Sequence, residues 1–178
     1  NCIQGLAWHG RDLWVGNSPD LTILRDLDGD DVADEYVKVF TDLGNIEHAV
    51  HGLNWAPDGK LYLSQGTSKG LTQPGRTAPK AFRDLWDVRA PAGTPDVAPA
   101  QVFKRADYQA TYQDPRDDWG REGGVLRCDD LGANLEIVAR GLRNPWDLAF
   151  DSGFNWLNTD NDQSEGDRIT MPFFGAHF

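Results

Sequence analysis

Long apolar runs are missing from this sequence, and no stretch is apolar for long enough to cross a membrane as a helix. Basic residues are few: 17 Lys and Arg stand against 28 Asp and Glu, and the net charge of −11 argues against nucleic acid as a partner. The acid is spread through short turn clusters, as in a solubilised secreted or periplasmic protein, not gathered in one tail. There are only two cysteines, Cys2 and Cys128, and neither stands in a zinc or redox spacing. They could pair, but a count of two does not establish a disulfide. Helical periodicity is scarce as well. A signal peptide is absent, and the chain opens inside a strand-like segment and stops at Gly-Ala-His-Phe, which reads as a piece of a longer protein. Its 178 residues are still enough for one domain with a real core.

What the chain does have is short apolar segments bounded by Gly, Asp, Asn and Pro, the pattern of an all-β fold. Three stretches resemble one another: GLAWHGRDLWVGN from Gly5, GLNWAPDGKLYLSQG from Gly52 and NPWDLAFDSGFNWLNTD from Asn144. Each reads as strand, turn, strand. The first is followed by LTILRDLDGD and DEYVKVF, and the second, after a long insertion, by GGVLRCDDLG and NLEIVARGL. Gly5 and Gly52 are one period apart, and Leu53 and Leu148 about two. Four-stranded units repeating at roughly forty-odd residues predict a β-propeller, with about two and a half blades in this chain. A β-sandwich is the competing architecture.

The insertion, about residues 67–122, falls between the second and third strands of its blade. It is rich in Pro, Asp, Arg and Gln and carries Phe82, Trp86, Phe103, Tyr108, Tyr112 and Trp119. A connection this long is usually functional or disordered, and the aromatics predict a packed lid.

Two polar constellations stand out. In the stretch from Gly141 to Asp162, Trp146 to Phe150 alternate as a half-buried strand does, and Asp151-Ser152-Gly153 is turn chemistry. A hairpin brings its ends together, so Arg143 and Asn144 should meet Asp160, Asn161 and Asp162 at one rim of a sheet. In the other, Asp26, Asp28, Asp30 and Asp34 alternate as carboxylates do in calcium loops. Position six is Asp31 and position twelve Val37, so this is not an EF-hand. The competing reading is a solvated turn.

The repeat and the Arg-Asn-Pro hairpin together resemble the glucose/sorbosone dehydrogenase superfamily, above all a planctomycete-type branch of membrane-bound dehydrogenases. Four stretches carry the likeness: GLRNPWDLAFD, His48 followed by GLNWAPDGKLYLSQG, DLDGDDVAD, and TDND followed by Gly166-Asp167-Arg168-Ile169. The resemblance implies a six-bladed propeller that uses pyrroloquinoline quinone and calcium to oxidise a sugar or related alcohol, with a cytochrome c domain as electron acceptor. It implies His48 as general base, with His51 a competitor three residues on, and Arg143 and Asn144 as cofactor-holding residues. A neutral imidazole can take a hydroxyl proton near pH 7, and a guanidinium pairs with carboxylates. The sequence departs from the pattern where an acid usually follows the Leu-Tyr strand, here Gly66-Thr67, and at the Gly-Pro calcium corner, here Asp162-Gln163. Those departures favour the alternative, a non-catalytic propeller that binds carbohydrate or a partner domain. A polysaccharide lyase or hydrolase is a third reading, without a clear catalytic pair.

Overall fold

A computed structural model describes residues 3–41, 43, 48–67, 76, 78–109, 122–164 and 166–178. Cys2, Tyr112 and Trp119 lie outside the described residues, and Cys128 is buried.

The first repeat forms β1 (Gly5–His9), β2 (Asp12–Asn17), β3 (Asp20–Arg25) and β4 (Glu35–Phe40), an antiparallel meander. The second forms β5 (Val50–Trp55) and β6 (Leu61–Gln65), then β8 (Gly123–Cys128) and β9 (Glu136–Leu142), again antiparallel in order. The third supplies β10 (Pro145–Phe150), β11 (Trp156–Asp160) and β12 (Arg168–Thr170). The repeating sheets make a partial β-propeller: two complete blades and the first three strands of another.

Glycine lets the innermost strands lie side by side. A Cβ at Gly5 of β1 would come within 2.0 Å of the His51 carbonyl oxygen on β5, and one at Gly52 of β5 within 3.0 Å of the Asp147 Cα on β10. The interior fills with the alternate residues of facing sheets. Trp14, Leu21, Ile23 and Val37 of the first blade meet Leu53, Leu61, Leu63 and Leu126 of the second, and Val125, Val138 and Leu142 meet Leu148 of the third. Removing a side chain such as Leu63 from water contributes roughly 1.5–3 kcal/mol. The opposite faces of the first and third sheets leave Leu6 and Trp8, and Leu157 and Ile169, exposed.

The insertion packs, but its described part does so on the flank of the first two sheets. Helix α1 (Lys80–Leu85) puts Phe82 into the core shared by those sheets, and β7 (Gln101–Lys104) joins β4 as a fifth strand. A short parallel strand, β13 (Ala176–His177), extends the second blade at β9.

Candidate functional site

The starts of β5 and β10 and the ends of β6 and β11 lie at one rim, where the polar groups converge. At β10, Pro145 is in register with Asp160 of β11, so the Arg143-Asn144 entrance and the acidic exit meet as the hairpin required. Asp160 is buried, with no exposed side-chain surface. Its Oδ1 accepts from the Asn144 backbone N–H at 2.8 Å and the Arg143 N–H at 3.2 Å, and its Oδ2 accepts from Arg168 Nε and Nη2 at 3.1 and 3.0 Å. This carboxylate therefore pins the Arg-Asn-Pro turn. The sequence named it among the acids but gave it no role. The pairing register, which places it opposite Pro145, was the available signal.

Arg143 is half-buried and donates from Nη1 to the carbonyl and side-chain oxygens of Asn161, at 3.1 and 2.7 Å. Asn161 in turn donates to Asp167 Oδ1 at 2.8 Å. Among the described residues the guanidinium is thus braced from within its own hairpin, not by an acid of a neighbouring blade.

His48 immediately precedes the bridge and strand that open the second blade and is 9% exposed. Its Nδ1 lies 2.7 Å from the Thr67 carbonyl oxygen and 3.0 Å from the Thr67 hydroxyl. A carbonyl oxygen only accepts, so Nδ1 carries the proton, and in the neutral ring the lone pair sits on Nε2. Thr67 does with a backbone carbonyl what an acid at that place would do with a carboxylate. The Thr67 N–H also donates to the Arg143 carbonyl at 2.7 Å, which links His48 to the Arg-Asn-Pro turn through one residue. Gly66 is required between them: a Cβ there would sit 2.4 Å from Asn144 Oδ1 and 2.7 Å from His48 Cβ.

His51, the competitor, proves to be Asn144's partner. It is buried on β5, and its Nε2 lies 2.8 Å from Asn144 Oδ1. Desolvation holds its pKa below the ordinary histidine value; the Asn144 hydrogen bond opposes this, and the charge of His48 adds to it. Trp146, which the sequence read only as a strand residue, stacks on the His51 ring with centroids 4.3 Å apart. It lines an open pocket of about 380 Å³ with Thr159, Asp160, Asn161, Asp167, Arg168 and Ile169.

The rim therefore brings His48, Arg143 and Asn144 together. It places a guanidinium, which suits a carboxylate, beside a side-chain amide whose oxygen is turned to His51. Among the described residues its acids do not bring their oxygens together as a metal site needs; Asp162 Oδ1 accepts from the Ser164 N–H at 2.7 Å, and both oxygens of Asp160 accept hydrogen bonds.

The aspartate hairpin lies elsewhere, in the β3–β4 turn at the opposite end of its blade. Among the described residues, Asp26, Asp28 and Asp34 are the acids whose oxygens come within 4.8 Å of one another. Asp30 is not in that group; its Oδ1 accepts from the Val32 N–H at 2.9 Å. Asp31 takes φ 65°, the left-handed conformation for which calcium loops favour glycine. Hydrogen bonds from backbone N–H groups, Gly29 first, lower the Asp26 pKa.

The family described as a domain of unknown function (DUF7133) matches residues 1–122. No curated protein matches the chain. Among solved structures, the PQQ-bound form of aldose sugar dehydrogenase from Streptomyces coelicolor is 14% identical with a TM-score of 0.37, over 100% of this chain and 62% of that one. A glucose dehydrogenase crystal structure is 15% identical with a TM-score of 0.40, over 99% of this chain and 62% of that one. The chain thus spans 62% of the length of each of these two structures.

Proposed function

The chain belongs to the DUF7133 family, and we propose that it forms part of a quinone-dependent dehydrogenase that oxidises a sugar or related alcohol. The observation that carries this reading is the 2.7 Å contact of His48 Nδ1 with the Thr67 carbonyl oxygen. With Nδ1–H committed to the Thr67 carbonyl, the basic nitrogen is Nε2, on a residue joined through Thr67 to Arg143.

Arg143 and Asn144 would hold pyrroloquinoline quinone, the guanidinium toward a carboxylate and the amide nitrogen toward a carbonyl. When bound, that group supplies the two-electron acceptor. His48 takes the proton of the substrate hydroxyl at Nε2, and Thr67 keeps the ring oriented as it becomes charged. Asp160 holds the backbone of Arg143 and Asn144 so that both side chains keep their positions. The proposal extends to a periplasmic or secreted six-bladed ring with a cytochrome c domain as electron acceptor, and to calcium at Asp26, Asp28 and Asp34.

An absorbance titration of the full-length protein with pyrroloquinoline quinone tests it. Saturable uptake is expected, weakened about ten- to a hundredfold in Arg143→Ala by loss of a charge-assisted bond. His48→Ala should leave uptake intact and lower turnover by about 10²–10⁴. No saturable uptake by the wild type would overturn the dehydrogenase reading in favour of a propeller that binds carbohydrate or a partner domain.

A further inference from the structure

His51 takes no part in the chemistry above, yet its side chain is only 1% exposed and it touches two rim residues at once. An amide oxygen can only accept, so the 2.8 Å contact with Asn144 Oδ1 requires the proton on His51 Nε2. The lone pair of the neutral ring then sits on Nδ1, which is buried and has no hydrogen-bond partner among the described residues. That arrangement agrees with burial lowering the pKa of His51. The same imidazole lies against Trp146 at an interplanar angle of 19°, while the indole is 49% exposed and borders the pocket.

The two contacts do different things. An asparagine amide has an acceptor end and a donor end of almost equal size, and packing alone distinguishes them poorly. A buried imidazole on one side distinguishes them well: a flipped amide would set donor against donor, or would move the His51 proton to Nδ1, a buried atom with no acceptor among the described residues. Gly66 leaves the room this orientation needs, since any Cβ would lie 2.4 Å from the amide oxygen. The stack, in turn, limits where the indole can settle.

We propose that His51 is the positioning residue of the rim: its Nε2–H fixes the Asn144 amide with oxygen toward His51 and nitrogen turned away, and its ring seats the Trp146 indole. This inference rests on reading the rim as a ligand site, but the orientation of Asn144 can be read without any ligand.

The experiment uses isotope-labelled full-length protein and two variants. His51→Phe keeps a ring for Trp146 to stack on and removes the donor; His51→Gln keeps a donor and removes the ring. Long-range proton–nitrogen spectra of the wild type should show His51 protonated at Nε2. The Asn144 side-chain amide signals should shift in His51→Phe and stay close to wild type in His51→Gln. With pyrroloquinoline quinone as probe, His51→Phe should bind up to about tenfold more weakly, the scale of one net hydrogen bond, and His51→Gln should recover most of that loss. An Nδ1-protonated His51, or Asn144 signals unchanged in His51→Phe, would overturn the proposal. Should the wild type take up no quinone, the dehydrogenase reading fails, and the tautomer and amide signals alone decide the role of His51. Should His51→Phe not fold, the wild-type tautomer and the His51→Gln amide signals decide it in the same way.

Discussion

The phenol oxygen of Tyr108, far along the insertion, lies 3.1 Å from Oδ2 of Asp20, a carboxylate sealed inside the first blade. Lys38 Nζ reaches the same oxygen at 3.1 Å, and the Tyr108 ring covers that ammonium at 5.5 Å. A buried ion pair contributes little unless further hydrogen bonds complete it. Here Tyr108, also within hydrogen-bond distance of Asn17 and Thr22, adds one from another part of the chain, while Asp20 Oδ1 has no partner among the described residues. The insertion is therefore bolted to the first blade by a polar contact.

Tyr108→Phe should cost about 1–3 kcal/mol, because removing the hydroxyl leaves buried partners short of a bond while the ring still packs. Urea unfolding of both proteins measures it, together with protease cleavage in the insertion, which should quicken. An unchanged midpoint would show that Asp20 and Lys38 are satisfied without the phenol.

Asp160→Asn should destabilise by about 3 kcal/mol, near the lower end for breaking a buried pair because Arg168 remains 30% exposed to water. Hydrogen exchange at the Arg143 and Asn144 amides should quicken at the same time, since both donate to this carboxylate. Equal exchange in wild type and variant would remove Asp160 as the pin of the turn.

The depressed pKa of His51 links stability to acid pH. Above the unfolded value of about 6.5 the ring is neutral in both states, and its contribution is constant. Below that value the unfolded chain binds a proton that the folded one resists, so stability falls with pH until the folded pKa is passed. Unfolding free energy measured from pH 7.5 down to 5 should decline less steeply in His51→Gln, which does not titrate. Identical slopes would place the sensitivity elsewhere.

Gly66→Ala should be poorly tolerated although the residue lies at a strand end. The new methyl would meet Asn144 Oδ1 and His48 at distances that force a shift, an overpacking cost of about 1–3 kcal/mol. The same spectra that report the Asn144 amide should show it displaced; an unperturbed amide signal would mean the rim yields more easily than its geometry suggests.

If calcium binds the β3–β4 turn, Asp28→Ala should weaken it strongly and Asp30→Ala only slightly, because Asp30 lies outside the close triad. Titration calorimetry on both variants is decisive. Equal loss in the two would contradict the triad, and no heat from the wild type would leave the turn a solvated one.

Alternation and turn chemistry are local properties, and they determined a good deal from the sequence alone. The order strand, turn, strand at Gly5, Gly52 and Asn144 located the hairpins that open the three blades, and hairpin closure brought Arg143 and Asn144 to Asp160 and Asn161. The insertion's point of entry after β6 was legible for the same reason, since it interrupts a repeat. Partners distant in the chain were not legible. The pairing of β7 with β4, the return of β13 to β9 and the reach of Tyr108 to Asp20 depend on which edge or buried charge remains to be satisfied once the blades have stacked. The two histidines show the division most sharply. Both lie at the mouth of β5 and offer the same chemistry, so motif spacing could rank them but not assign their partners. Only the packed sheets set the Thr67 carbonyl against His48 Nδ1 and the Asn144 amide against His51 Nε2, because each partner comes from a strand end that reaches the histidine only once the blades have stacked.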